Sequence, residues 1–247
     1  MGNGRVVCHG KKEIQPQLLE NSVVTKAPFP VLYEDNHLLV VDKPSALVTM
    51  GAPAGTPSLI EQARDYIKRK YNKPGKVYLG IVSRLDAPVS GVLVIARTSK
   101  AASRLTEQFR QRTVVKKYWA LVEEVPQPAE GHWVDWLVHH DRHRKVLAVE
   151  AERTGARRAE LSYRLLDPVG RYQCLEVQLQ TGRKHQIRVQ LSSRGLPIVG
   201  DRKYDSLQSF PAGIALHSCQ LEFSHPVGDE WLQFQVHPPA SWPLPRA

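Results

Sequence analysis

Two features predict an α+β fold with a mixed, mostly antiparallel central sheet and flanking helices and loops. In the second half, apolar residues alternate with polar ones at Leu175, Val177 and Leu179, and again at Leu232, Phe234 and Val236. Such alternation marks strands with one buried face. The first half carries short apolar runs, Leu38–Val41 and Val92–Ala96, together with two segments of helical spacing.

The elements follow in chain order. Residues 1–28 are polar and mixed, and read as a flexible N-terminal extension, with one folded domain over 29–247. Leu38–Val41 is a strand behind the turn-like Glu34-Asp35-Asn36. A helix follows, with Leu59, Ala63, Tyr66 and Ile67 on one face. Either Thr56 caps it with Pro57 in the first turn, or Ser58 caps it in a capping box with Glu61. Val92–Ala96 is a buried strand. Ser99 caps a second helix, with Leu105 and Phe109 inward and Arg104, Arg110 and Arg112 toward solvent. Lys117–Val122 is a strand. Ile187, Val189 and Leu191 alternate, yet Ile187 and Leu191 also fit helical spacing, and Gly195 is a good helix stop. Periodicity leaves that segment open. Pro238, Pro239, Pro243 and Pro245 make the end irregular.

Composition narrows the function classes. The chain is 42% hydrophobic and 23% charged, as suits a globular protein. Its net charge of +10 favours a polyanionic partner, nucleic acid ahead of an acidic membrane. No apolar run of membrane-spanning length is present, and Met1–Lys12 lacks the apolar core of a secretion signal. The three cysteines, Cys8, Cys174 and Cys219, are odd in number and lack CxxC spacing. That argues against a disulfide framework and a zinc site, and for a reducing, cytoplasmic setting.

Three stretches concentrate reactive groups. The first is Ser83-Arg84-Leu85-Asp86, followed by Ser90-Gly91 and the buried strand. A carboxylate at the mouth of a strand, two residues from an arginine, is held on a stiff element beside a cation, and an ionised Asp in such a place acts as nucleophile or base. The second is Lys116-Lys117-Tyr118-Trp119. Tyr118 offers a face for base stacking and a phenol for proton transfer. The third is Thr181-Gly182-Arg183-Lys184-His185-Gln186-Ile187-Arg188, with Pro197–Asp201 beyond it. Its cations suit a phosphate or a catalytic carboxylate. Each stretch has a plain structural reading: a surface ion pair, an aromatic packed in a strand, a solvated basic turn.

In this order the three are far more specific than any one. GIVSRLDAPVSGVLVIA, KKYWALV and TGRKHQIRVQL followed by GLPIVGD resemble the RluA-type family of RNA pseudouridine synthases, over roughly residues 31–236. Val41–Ser45 is similar to the family's early strand and Lys-Pro turn. The resemblance implies the pseudouridine synthase fold with a basic RNA-binding cleft and an isomerase working on ribosomal or transfer RNA; a monomer is expected, with no cofactor or metal. It implies that Asp86 is the catalytic aspartate, that Tyr118 is the active-site tyrosine, and that Arg188 pairs with the aspartate. It implies supporting or RNA-binding roles for Lys43, Arg84, Arg183, Lys184, His185 and Gln186. It also implies a helix over 184–194. Two departures stand out: Ser83 replaces the family's usual histidine, and Ala87-Pro88-Val89 replaces its more polar loop.

Two other readings are weighed. A catalytically inactive RNA-binding member of the same fold is the nearer one. The histidines His139, His140 and His143 around Asp141 raise metal hydrolysis, but they lack helical ligand spacing.

Overall fold

The computed structural model describes residues 6–8, 26–140, 145–150, 154–211, 213–228 and 230–243. Most of the expected extension over 1–28 lies outside the described residues, as do Asp141 and His143. In chain order the elements are β1 (Val6–Cys8), β2 (Val31–Glu34), β3 (Leu38–Lys43), α1 (Leu59–Lys70), β4 (Gly80–Ile81), β5 (Ser90–Ala96) and α2 (Ser99–Gln111). There follow β6 (Val115–Val122), β7 (Glu130–His140), β8 (Lys145–Val149), β9 (Arg157–Val169), β10 (Tyr172–Leu179) and α3 (Gln186–Ser192). A 3-10 turn (Arg202–Tyr204), β11 (Leu216–Ser224) and β12 (Trp231–Gln235) complete the chain. No helix among the described residues is long and apolar enough to cross a membrane.

The contacts divide the chain into two units, residues 1–114 with 218–237, and residues 115–217 with 238–247. In the first, β3 pairs antiparallel with β2 and β5, β4 pairs with β5, and β12 pairs antiparallel with β11 and β1. One face of β3 and β5 (Leu38, Val40, Val92, Val94, Ala96) joins Ala101 and Leu105 of α2 with Leu221, Phe223, Leu232 and Phe234 in one apolar core. The alternation at 232, 234 and 236 is therefore the inward row of β12 and the residue after it. β5 is buried along its whole length, as its unbroken apolar run requires.

Both helix starts follow from local chemistry. Ser58, not Thr56, caps α1: its N–H and hydroxyl both donate to the Glu61 carboxylate at 2.7 Å. The cap of α2 is Thr98, not Ser99. Thr98 has an extended backbone and accepts the Ala101 N–H at 3.1 Å, while Ser99 is the first helical residue.

In the second unit, β10 pairs antiparallel with β6 and β9, β9 with β7, and β7 with β8. The ambiguous segment is α3. Residues Gln186 to Leu191 are all buried, so no amphipathic stripe is written into the sequence. Cys174 and Cys219 are buried, and burial pushes the Cys174 thiol up to about 12.

Candidate active site

Asp86 opens a tight turn: the Val89 N–H donates to its carbonyl at 3.0 Å, and β5 begins at Ser90. The turn is anchored from two sides. Leu85 is buried and its carbonyl accepts the Thr49 hydroxyl at 2.7 Å. The Lys43 ammonium donates to the carbonyls of Pro44 and Leu47 at 2.8 Å and of Ala87 at 3.2 Å. The early Lys-Pro turn and the Asp86 loop, far apart in sequence, are thus tied by one side chain.

Lys43 is 0% exposed. Its three donors are taken by main-chain carbonyls, the geometry of a supporting residue. Burial draws its ammonium down to about 8, and the negative charges of Asp86 and Asp42 oppose that fall. Asp42 follows Leu38 and Val40 on the core-facing side of β3, opposite Val92. Burial pushes its carboxyl up to about 6, with the Lys43 charge pulling the other way.

These shifts have opposite consequences for stability. Asp42 has a folded pKa above its unfolded value, so its contribution is full below about pH 4 and is lost as pH rises through about 6. Lys43 has a folded pKa below its unfolded value, so its burial costs stability below about pH 8 and less at higher pH. Asp42→Asn removes the first effect and also one of the two charges that support the Lys43 ammonium, which offsets part of the gain. Urea unfolding of the two proteins should agree near pH 4 and diverge by about 2 kcal/mol in favour of the variant by pH 7. A constant difference across that range would contradict the assignment.

Thr49→Val is nearly isosteric and leaves the Leu85 carbonyl unpaired. It should cost about 1–2 kcal/mol in urea unfolding. By loosening the Asp86 turn it should also slow single-turnover pseudouridine formation about tenfold with unchanged RNA affinity.

Arg84 is exposed and forms no ion pair or hydrogen bond among the described residues. The local Arg84–Asp86 pair inferred from spacing is therefore absent. An exposed pair gains at most about 1 kcal/mol, too little to hold two solvated side chains together.

In the second unit, Tyr118 lies on β6 opposite Val177 of β10, partly exposed. The loop after β10 brings Gly182 beside the Lys116 ammonium, so the second and third motifs meet. There Arg188 is buried, and its Nε and a terminal nitrogen donate to Asp201 at 2.6 and 2.8 Å. Asp201, 1% exposed, closes the GLPIVGD pattern, and only this pair reveals its part in the loop. Gln186 is also buried, accepting from Thr181 and the Arg183 N–H and donating to the Glu160 carbonyl. These bonds hold its side chain inside the loop. Arg183 donates through Nε to the Arg158 carbonyl at 2.9 Å. Lys184 is exposed, with its ammonium 3.1 Å from His139 Nε2.

Comparison with known proteins supplies the chemistry that fits these motifs. Residues 37–193 match the family model described as RNA pseudouridylate synthase. A ribosomal large subunit pseudouridine synthase D of Xanthomonas campestris is 35% identical over 98% of this chain and 75% of its own length. An uncharacterized RNA pseudouridine synthase of Synechocystis is 35% identical over 87% of this chain and 67% of its own. The solved structure of human RNA pseudouridylate synthase domain containing 4 superposes with a TM-score of 0.69 at 29% identity, covering 85% of this chain and 89% of that one. With a mixed sheet, few helices and all three motifs in place, the chain belongs to the RluA-type RNA pseudouridine synthases, isomerases that act on uridine in RNA.

Proposed function

We propose that this enzyme converts a uridine of ribosomal or transfer RNA to pseudouridine in the cytoplasm, as a monomer, with Asp86 as the catalytic residue. The observation that carries the assignment is the Asp86 turn itself. A carboxylate matching the family's aspartate sits half-buried on a hydrogen-bonded turn, pinned by Thr49 and by the buried Lys43 ammonium. Positioning of this kind is worth several powers of ten in rate.

The reaction breaks the N1–C1′ bond of uridine, turns the uracil and forms C5–C1′. N1 gains a proton and C5 loses one, so no oxidant, reductant or ATP enters the balance. The target base must leave its stack to be reached. Asp86 acts on the ribose, either at C1′ as nucleophile or at C2′ as base. The motif match supports Tyr118 stacking on the uracil and moving a proton late in the reaction, and Arg188 as the cation that keeps Asp86 ionised. Arg84, without a partner on the Asp86 loop, and the exposed Lys184 suit contacts to RNA phosphates. Relatives named for the ribosomal large subunit support ribosomal RNA as the first substrate to try.

The test uses purified full-length protein and transcripts carrying tritium at uracil C5, since C5 must lose its hydrogen. Tritium release from large-subunit ribosomal RNA or from transfer RNA is expected. Tight binding of both RNAs without release from either would favour the inactive RNA-binding member of the fold.

A further inference from the structure

On the reading that RNA is the substrate, we infer that the end of α1 and the loop behind it form a second RNA-contact surface, with Lys68, Lys73 and Lys76 on phosphates and Tyr71 as a platform for a base. Residues 64–78 carry six cations, Arg64, Lys68, Arg69, Lys70, Lys73 and Lys76, against one anion, Asp65. All lie in the first unit, away from the three reactive stretches. All six but Lys70 are exposed. Part of the run has a local cause: Lys68, Arg69 and Lys70 fill the last turn of α1, where cations complement the helix dipole. That cause does not reach Lys73 and Lys76, which lie beyond the helix. Lys68, Lys73 and Lys76 form no ion pair among the described residues.

The way α1 ends gathers these charges. Asn72 takes a left-handed backbone, φ 46°, and the Lys73 N–H donates back to the Lys68 carbonyl at 3.0 Å. Such a close reverses the chain and sets Lys73 beside the turn that carries Lys68. Tyr71 stands on the same turn, 45% exposed yet held. Its hydroxyl donates to Glu34 at 2.6 Å, and the Arg97 guanidinium carbon lies 4.7 Å from its ring centre. Glu34 is the hub of this support. Its side chain is 7% exposed and also accepts from Tyr66 at 2.8 Å, Lys70 at 2.9 Å and Arg97 at 3.1 Å. Burial alone would raise its carboxyl, but the hydrogen bonds from Tyr71, Lys70 and Tyr66 hold it below the usual value. The Glu34 charge is therefore spent on inner partners and leaves the outer lysines uncancelled. A carboxylate hub that only fastened α1 to β2 would need neither an exposed ring nor lysines past the helix end. An exposed aromatic held in place among cations is the arrangement that stacks a base while neighbouring charges meet the backbone. Tyr78, also exposed, puts a second ring two residues beyond Lys76.

The other end of α1 belongs to the support of the Asp86 turn. The Leu59 and Ile60 N–H groups donate to the Val48 and Thr49 carbonyls at 2.8 and 3.2 Å, and the Thr49 hydroxyl holds Leu85. The 12 residues of α1 span roughly 18 Å. An RNA with its uridine at Asp86 thus reaches the Tyr71 surface within about five nucleotides of a stacked strand.

The test is fluorescence anisotropy of full-length protein with a fluorescein-labelled transfer RNA transcript, between about 50 and 200 mM salt. The variant Lys68→Ala/Lys73→Ala/Lys76→Ala should bind about tenfold more weakly, and its log–log salt slope should fall by about 2, the share of three phosphate contacts. The three side chains are exposed, so its urea midpoint should match wild type. Tyr71→Ala should bind about fivefold more weakly with an unchanged slope. Saturating RNA should restore the wild-type rate of single-turnover tritium release in the triple variant, because this surface binds and does not react. Affinity within about twofold of wild type and an unchanged slope in the triple variant would overturn the surface. So would an equal loss per charge in Lys100→Ala/Arg110→Ala on α2, which would reduce the effect to net charge. If wild type modifies RNA and the triple variant binds as well as wild type, the enzyme reading stands and the surface falls. If wild type binds RNA but modifies none, the enzyme reading falls and the salt slopes still decide the surface. A wild type that binds no RNA overturns both.

Discussion

Asp86→Asn should abolish pseudouridine formation. The change keeps the size of the side chain and the turn closed by the Val89 N–H, but removes the negative charge and the nucleophilic or basic oxygen pair. Total accelerations by enzymes are 10⁶-fold or more, so loss of the reacting group should lower single-turnover tritium release by at least about 10⁴-fold. RNA affinity should stay within about threefold, because phosphate contacts by lysine and arginine dominate it. A secondary effect follows from the geometry. Asp86 is the first of the charges that support the buried Lys43 ammonium, so the variant should push the Lys43 pKa below about 8 and cost about 1 kcal/mol of stability. Residual turnover within tenfold of wild type would remove Asp86 from the chemistry. A variant that neither binds nor turns over, yet folds, would point to a role in RNA docking.

Gly91→Ala should give the largest loss of stability of any single methyl addition considered. Gly91 has φ +114°, a conformation that side-chain-bearing residues rarely adopt. A Cβ there would stand 2.2 Å from the Ser218 carbonyl oxygen and 2.7 Å from its nitrogen. These are backbone atoms of β11, and they have no rotamer by which to move aside. The Ser218 hydroxyl also donates to the Val92 carbonyl at 3.2 Å, so relieving the clash would open that contact too. A cost of about 4–5 kcal/mol or more is expected, a large share of a typical domain's 5–15 kcal/mol. Gly195→Ala is the matched control. It too has positive φ, +72°, but nothing lies within 4 Å of its added methyl, and about 1–2 kcal/mol is expected from backbone strain alone. Thermal melts and soluble yield compare the two. Equal, small losses would mean that β5 and β11 are less closely apposed at Gly91 than described.

Much of this was legible in the amino-acid sequence because it rests on short-range signals. Unbroken apolar runs gave β3 and β5, alternation gave β10 and β12, and Ser58-x-x-Glu61 gave a genuine capping box. The three motifs carried the family. What escaped has physical reasons. The helix over 186–192 is buried almost all round, so its period is invisible. Thr98 and Ser99 are both good caps and adjacent, and only the extended backbone of Thr98 decides between them. The long strands β7 and β9 mix polar and apolar residues, and their inward rows stand out only once paired. The Arg188–Asp201 pair spans 13 residues and the Lys43–Ala87 bond spans 44. Contacts of that range leave no local pattern. Nor does the burial of Lys43: a lysine after an apolar strand reads as a surface cation until the carbonyls around its ammonium are seen.

The central claim is that this chain, through Asp86, makes pseudouridine at a defined place in cellular RNA. It is tested most directly by deleting the gene in its host and mapping pseudouridines by carbodiimide treatment and reverse transcription. The map is then repeated with the deletion rescued by wild type or by Asp86→Asn. The account predicts that a site in ribosomal or transfer RNA disappears on deletion and returns only with the wild-type protein. A map unchanged by deletion, or a site restored equally well by Asp86→Asn, would contradict it.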